Sequence, residues 1–312
     1  MDRRVPVALW RMARPAQLAL IALVYAAGVA MAYGRGATAT PTRIAFGLAA
    51  LLSVAASVHY ANEYADVETD AITERTPFSG GSGALDDTGL PRRIALYATG
   101  GVGLAGLVLT AVGASSVSDT LAAGPTGPLL ASTPAVLLVV VLVVGWQYSL
   151  RPLRLAWNGL GEVTNAALGG FVLPLYGFAV VTGELTIAGA LAFVPFTLVV
   201  FVNLLETTWP DRVADAAVGK RTLVTRLSAG RLRTLYAAGS VAAVASTVLL
   251  AGRALPPIVA AATVVPLVGL VPGYVRFTRR EAPLPAVVTM VVLAATTALG
   301  WTLVSRGRVA VI

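Results

Sequence analysis

Apolar residues in this chain come in long unbroken blocks, not in the short alternating or amphipathic patterns of soluble elements. Several blocks exceed the roughly 18 residues that mark a membrane-crossing helix. Nine spans are predicted, at about 16–33, 44–62, 94–114, 134–150, 160–181, 188–209, 234–252, 255–273 and 284–304. Most are rich in Ala, Val, Leu and Gly, and small residues let helices approach closely where no hydrophobic force drives them together. Pro174, Pro195 and Pro266 fall inside spans and predict kinks, which are tolerated where neighbouring groups satisfy the freed carbonyls. The expected fold class is all-α: a polytopic membrane protein, a bundle of nine transmembrane helices around a central cavity, forming one integral-membrane domain over residues 1–312.

Composition agrees and removes whole classes of chemistry. The chain is 57% hydrophobic and 12% charged, where a soluble domain has roughly a quarter charged residues. It has no cysteine, which excludes disulfides, thiolate metal sites and thiol nucleophiles. A single histidine, His59, leaves no room for a His-based metal cluster. Lying inside an apolar run, it reads as hydrogen-bonded packing. The first apolar block is too long for a cleavable signal peptide and lacks a convincing processing site.

The net charge of +8 is a topology signal and does not point to nucleic acid. With the N-terminus in the cytoplasm, 18 of the 23 basic residues fall on the cytoplasmic side, leaving Arg35, Arg43, Arg253, Arg306 and Arg308 outside. The protein is therefore expected in the cell membrane, multi-pass, with residues 63–93 and 210–233 as its two large cytoplasmic connections. The connection 115–133, on the other face, has turn composition and reads as an external loop without function.

Against this background one polar stretch stands out: Asn62-Glu63-Tyr64-Ala65-Asp66-Val67-Glu68-Thr69-Asp70, directly after span two. It holds four of the chain's 15 acidic residues. Carboxylates at the mouth of a membrane helix are costly unless paired or bound to a metal. If the helix continues, Asn62, Asp66 and Asp70 lie on one face. Asp211 and Asp215 repeat the four-residue spacing after span six, which suggests two pseudo-repeated four-helix units plus a final helix.

Two readings follow. Either the acids are solvated loop charges balanced by Arg75, Arg212 and Lys220, or two facing oxygen-bearing stripes hold Mg2+ together with a diphosphate. Magnesium takes a few carboxylates plus substrate phosphates. Lys220, the only lysine, and Arg221 follow Gly219 beside the second pair; they suit phosphate oxygens, though positive-inside topology also explains them.

The Asn-x-x-x-Asp-x-x-x-Asp pattern after span two, with Asp-x-x-x-Asp after span six, resembles the UbiA superfamily of intramembrane prenyltransferases, and the resemblance covers the whole chain. Asp211-Arg212-Val213-Ala214-Asp215 through Gly219-Lys220-Arg221-Thr222-Leu223 looks most like the branch that prenylates 1,4-dihydroxy-2-naphthoate in menaquinone synthesis. So do Tyr148-Ser149-Leu150-Arg151-Pro152-Leu153 and Gly159-Leu160-Gly161-Glu162, and Arg14-Pro15 also fits the superfamily. The family usually has Asn-Asp where this chain has Asn62-Glu63; glutamate keeps the charge but reaches further. Residues 76–83 depart from the arginine-and-proline pattern of the archaeal ether-lipid and protohaem branches.

The resemblance implies a Mg2+-dependent prenyltransferase moving an isoprenoid chain from an allylic polyprenyl diphosphate donor to a lipophilic quinone-precursor acceptor. It implies metal ligation by Asp66, Asp70, Asp211 and Asp215, with Asn62 either a ligand or a hydrogen-bonding partner of a carboxylate. Lys220 and Arg221 then neutralise the leaving diphosphate, and Tyr64, Trp146 and Tyr148 offer aromatic faces to the allylic cation or serve as interfacial anchors. Glu162 is either an acceptor-binding or proton-accepting group or a charge at a helix start. A non-quinone acceptor, such as a carotenoid or other lipid, is the alternative. An ion-coupled transporter is the rival from another class, but its acids belong near the bilayer midplane.

Overall fold

The computed structural model of the protein describes residues 2–73, 75, 80–118 and 132–309. Residues 76–79, quoted above as a departure from related branches, and 119–131 of the expected external loop lie outside the described residues. Among the described residues eight helices are long and apolar enough to cross a membrane. They are spans one (Pro15–Gly34), two (Pro41–Ala65), three (Arg93–Gly113), five (Gly161–Thr182), six (Ile187–Thr208), seven (Ala229–Leu250), eight (Pro257–Arg276) and nine (Leu284–Gly307). Span four, Thr133–Ser149, has 17 residues, or about 25 Å of helix, near the lower limit for crossing the hydrocarbon core. All nine predicted spans are present as helices. The largest boundary difference is at span seven, which begins at Ala229. Ser228 caps it through Arg231 N, and the charged first turns carrying Arg231 and Arg233 hide that start from a reading based on hydropathy.

The three prolines interrupt their helices as predicted. Pro174 follows a π-turn at Leu168–Val172, Pro195 follows the break at Phe193, and Pro266 lies in a 3-10 stretch at Val265–Gly269. A proline removes one ladder donor and its ring clashes with the preceding turn.

Close backbone approach organises the bundle. A Cβ at Gly28 of span one would collide with Pro174 O of span five, and one at Gly177 of span five with Tyr25 O. Buried Tyr25 and Tyr176 both donate to span two, to Ile44 O and Gly47 O, each at 2.9 Å. Spans one, two and five are thereby tied together. Span two also packs along span three, while span nine lies against one, six and eight, and span six against five and seven.

The connections alternate between two ends. At one end Arg35, in the connection one–two, donates to Ala188 O at the start of span six and to Ala254 O in the connection seven–eight. The other end carries the segment before span one and connections two–three, four–five, six–seven and eight–nine; the segment bonds to connection two–three through Arg4 to Thr88 O and Arg11 to Ser82 O. A short amphipathic helix, Arg4–Met12, lies there with Ala8 and Met12 buried and Val7 and Trp10 exposed. In sequence it showed only as loop charges. This second end carries the chemistry.

Candidate active site

Span two does not stay helical through its polar stretch. It ends at Ala65, Asp66 breaks the helix (φ −100, ψ 9), and a short turn, Val67–Asp70, follows. Asp66 N still bonds to Asn62 O (2.9 Å) and Asp70 N to Asp66 O (2.8 Å), so the three polar residues remain one turn apart. On the opposite side Asp215 lies on the short helix Arg212–Ala217, with half-buried Asp211 at its start.

Lys220 joins the two acidic stretches. Its Nζ is 3.4 Å from Asp66 Oδ2 and 3.4 Å from Asp215 Oδ1, with all three side chains largely buried. Burial alone would lower the lysine's pKa, but Asp66 and Asp215 outweigh it and the pKa is raised. Lys220 is therefore a fixed cation. Of the three basic residues offered above as balancing loop charges, Arg75 pairs with Asp86 and Asp87, and Arg212 with Glu281. Lys220 is the one of the three that pairs with Asp66 and Asp215.

Trp157, which belongs to neither motif of its connection, is central. Its Nε1 donates to Asp66 Oδ1 at 3.2 Å, the Arg154 guanidinium stacks 3.7 Å from its ring centroid, and its carbonyl accepts from Arg221 N at 3.1 Å. Lys220 Nζ lies 5.9 Å from the same ring. The signal available in the sequence was position: Trp157 falls in the gap between the two quoted motifs of the connection four–five. Trp157→Phe keeps the ring but removes a hydrogen bond to a charged acceptor, worth about 1.5 kcal/mol. We expect kcat/KM for prenyl transfer in membranes to fall roughly tenfold; an unchanged value would put this bond outside the reaction.

The other predicted residues divide. Asn62 Oδ1 accepts from Ser149 Oγ at 3.0 Å, which fixes it against the end of span four. Tyr148 lies close enough to Lys220, Glu162 and Asp66 to feel their charges, with the Asn165 side chain as its polar neighbour. Glu162 is buried and accepts from Leu223 N at 2.8 Å, so it anchors the turn that follows Lys220. Arg221 joins the site through its backbone, and its side chain is exposed. Tyr64 faces Arg92, 5.3 Å from the ring, and packs with the N-terminal helix. Trp146 donates to Ser57 Oγ at 2.8 Å, committed to contact between spans four and two. His59 bonds to Ala13 O at 2.8 Å, in keeping with packing.

Glu63 is the pivot of a separate arrangement. Only 4% exposed, it accepts from Arg14 (2.7 and 3.1 Å), from Ser82 N (3.0 Å) and from Ser82 Oγ (2.7 Å). This holds the 80–83 turn over Asp70. Gly81 has φ +63, and a Cβ there would collide with the Asp70 carboxylate. Burial pushes the Asp70 pKa up to about 7; Asp66 and Glu63 add to the shift, and Arg14 and Lys220 oppose it. Asp215 is also raised, by burial against the pull of Lys220.

Asp66 and Asp215 share a single cation, Lys220. Asp215 Oδ1 is buried and makes no hydrogen bond. Among the described residues, no three His, Cys, Asp or Glu side chains converge tightly enough to hold a metal by themselves. The acids instead form two sets separated by Lys220. All-oxygen donors in incomplete sets suit a magnesium ion that takes its remaining ligands from water and a bound phosphate.

The sequence pattern of the UbiA prenyltransferase family matches residues 21–294. No curated protein sequence matches. Among solved structures, a UbiA homolog from Archaeoglobus fulgidus bound to GPP and Mg2+ is similar, with a TM-score of 0.69 at 17% identity, over 96% of this chain and 99% of that one. The same homolog bound to DMAPP and Mg2+ gives 0.65 at 16%, over 94% and 99%. A digeranylgeranylglyceryl phosphate synthase gives 0.64 at 11%, over 96% and 99%. At these identities the likeness is one of fold.

Proposed function

The chain belongs to the UbiA prenyltransferase family, and on that premise we propose that it is a Mg2+-dependent enzyme transferring a chain from an allylic polyprenyl diphosphate to an aromatic quinone precursor. The observation that carries the donor half of this reading is Lys220, held between Asp66 and Asp215 at 3.4 Å from each. A buried cation flanked by undercompensated acids matches the needs of a metal-bound diphosphate: positive charge for the phosphate oxygens, carboxylates for the ions. Structures of the Archaeoglobus homolog bound to GPP and DMAPP with Mg2+ support the same donor chemistry.

In this reading Asp66, Asp70, Asp211 and Asp215, with Asn62, would hold Mg2+. When bound, the metal neutralises the diphosphate and makes it a better leaving group. Lys220 exchanges a carboxylate for a phosphate oxygen and stabilises charge on the departing diphosphate as the allylic carbon–oxygen bond breaks. Arg221, whose side chain is exposed, contributes through its backbone bond to Trp157 O, which ties the Lys220 turn to the connection four–five. Tyr148 and Trp157 present aromatic faces beside the reacting carbon. The acceptor carbon forms the new bond to the allylic carbon as diphosphate departs, and the proton it sheds passes to the released diphosphate; Glu162 supports the Lys220 turn through Leu223 N.

The naphthoate-like acceptor rests on the motifs from 148–153 and 211–223. The fold likeness to a digeranylgeranylglyceryl phosphate synthase leaves acceptor choice to local residues, and carotenoid-like acceptors are the second reading. We also infer a cytoplasmic site end, from its basic connections. The corresponding pairings of span two with three and six with seven support the four-helix repeat.

The test is product identification: membranes carrying the protein, labelled prenyl diphosphates of several lengths, and a panel of acceptors. A prenylated naphthoate is expected, together with loss of activity on chelation and its return with added Mg2+. Transfer that survives chelation would contradict the mechanism.

A further inference from the structure

Span eight ends at Arg276, where a pocket of about 270 Å³ is lined by Val275, Arg276, Arg279 and Arg280. The backbone is bent to build it. Thr278 has φ 66, unfavourable for a β-branched residue, and the N–H groups of Arg279 and Arg280 both bond to Arg276 O, at 2.9 and 3.0 Å. Arg233 fixes the corner from span seven by donating to Tyr274 O (2.9 Å) and Phe277 O (2.7 Å).

Three guanidinium groups therefore share one turn; buried Glu206 feels the charge of Arg276, and Arg279 and Arg280 carry the charge left over. The neighbouring carboxylate, Glu281, is committed to Arg212 at 2.7 Å. Among the described residues none of the three arginines forms an ion pair. An acidic ligand relieves their mutual repulsion, and phosphate is the anion that guanidinium groups grip with paired hydrogen bonds.

The surface leading to the pocket indicates the kind of phosphate. Val268, Val271 and Val275 are 72%, 63% and 52% exposed and recur at helical spacing. An apolar strip thus runs along span eight from the bilayer interior to the arginines. A free phosphate makes no use of such a strip, whereas a phospholipid lays its chains on it and its headgroup in the pocket. Basic pockets at helix ends on the anionic leaflet suit this arrangement.

We propose that this pocket binds the phosphate headgroup of an anionic phospholipid, with the acyl chains along Val268, Val271 and Val275. Through Glu281 and Arg212 the site is continuous with the helix that bears Asp215. A bound lipid therefore braces one wall of the catalytic end.

The full chain, purified in neutral detergent, is titrated with phosphatidylglycerol, with phosphatidylcholine of the same chains, and with inorganic phosphate, while thermal unfolding is followed. Phosphatidylglycerol is expected to raise the midpoint by several degrees and phosphatidylcholine to leave it nearly unchanged. Arg279→Gln/Arg280→Gln, which spares Arg276, is expected to lose most of that shift while unfolding as the wild type does without added lipid. Arg253→Gln, at the other end of the bundle, is expected to keep it. An equal shift from inorganic phosphate would identify an ion site and overturn the lipid assignment, as would an undiminished phosphatidylglycerol shift in the double variant. If the double variant folds poorly, native mass spectrometry of the wild type decides: preferential retention of phosphatidylglycerol over phosphatidylcholine supports the site, and equal retention refutes it.

Discussion

Asp66→Ala is expected to reduce prenyl transfer by on the order of 10³-fold or more, the scale of removing a preorganised electrostatic group, in a protein that still inserts. Asp66 is engaged from two other connections, four–five and six–seven: Trp157 Nε1 holds one oxygen and Lys220 Nζ lies at the other. Its loss removes a proposed metal ligand and also releases the tether that keeps Lys220 aimed at the donor. The fold survives because Lys220 keeps Asp215 as a partner and the nine spans pack elsewhere. Asp66→Asn separates the two roles, since an amide oxygen still accepts from Trp157 but carries no charge. Both variants are assayed in membranes at matched expression, and retention by Asp66→Ala of a tenth of wild-type activity would remove Asp66 from the chemistry.

Glu63→Ala carries the largest expected cost in stability. Breaking a buried ion pair by deleting one partner costs about 3 kcal/mol or more, because the other charge is left uncompensated. Here that charge is Arg14, whose side chain is 22% exposed against 4% for Glu63. Ser82 loses both of its bonds to the carboxylate as well. The variant should unfold at markedly lower temperature in micelles and lose the order of the turn over Asp70. Glu63→Gln, which can still accept from Ser82 and Arg14, should fall between. Glu63→Asp, the residue usual in the family, is one methylene short of reaching both partners and should weaken the joint. If Glu63→Ala unfolds like the wild type, the pair contributes nothing to the fold.

The spans were legible because membrane helices must be apolar over their whole length, so hydropathy alone marks them. The three kinked spans were legible from proline stereochemistry. The acidic stripes were legible because charge at the mouth of a greasy helix is conspicuous. Trp157 was not, since one tryptophan in a short connection looks the same whether it anchors to lipid or donates to a carboxylate. Glu63 shows the opposite limit. Its partners, Arg14 and Ser82, lie 49 and 19 residues away, and only the fold brings them together. Tyr64 and Arg221 stand next to functional positions in sequence, but a single step along a helix or turn is enough to point a side chain elsewhere.

The contact of span one with span five has a mechanical consequence. Gly28 lies against Pro174 O and Gly177 against Tyr25 O, so at these two crossing points the backbones meet and no long side chain can swing aside to part them. That seam is a fixed wall. Any widening needed to admit a longer isoprenoid, or to release a product into the bilayer, must come from boundaries where flexible side chains intervene. Enlarging either glycine would disturb the architecture without retuning chain length, so variants made to change tail preference belong on the other faces of the bundle.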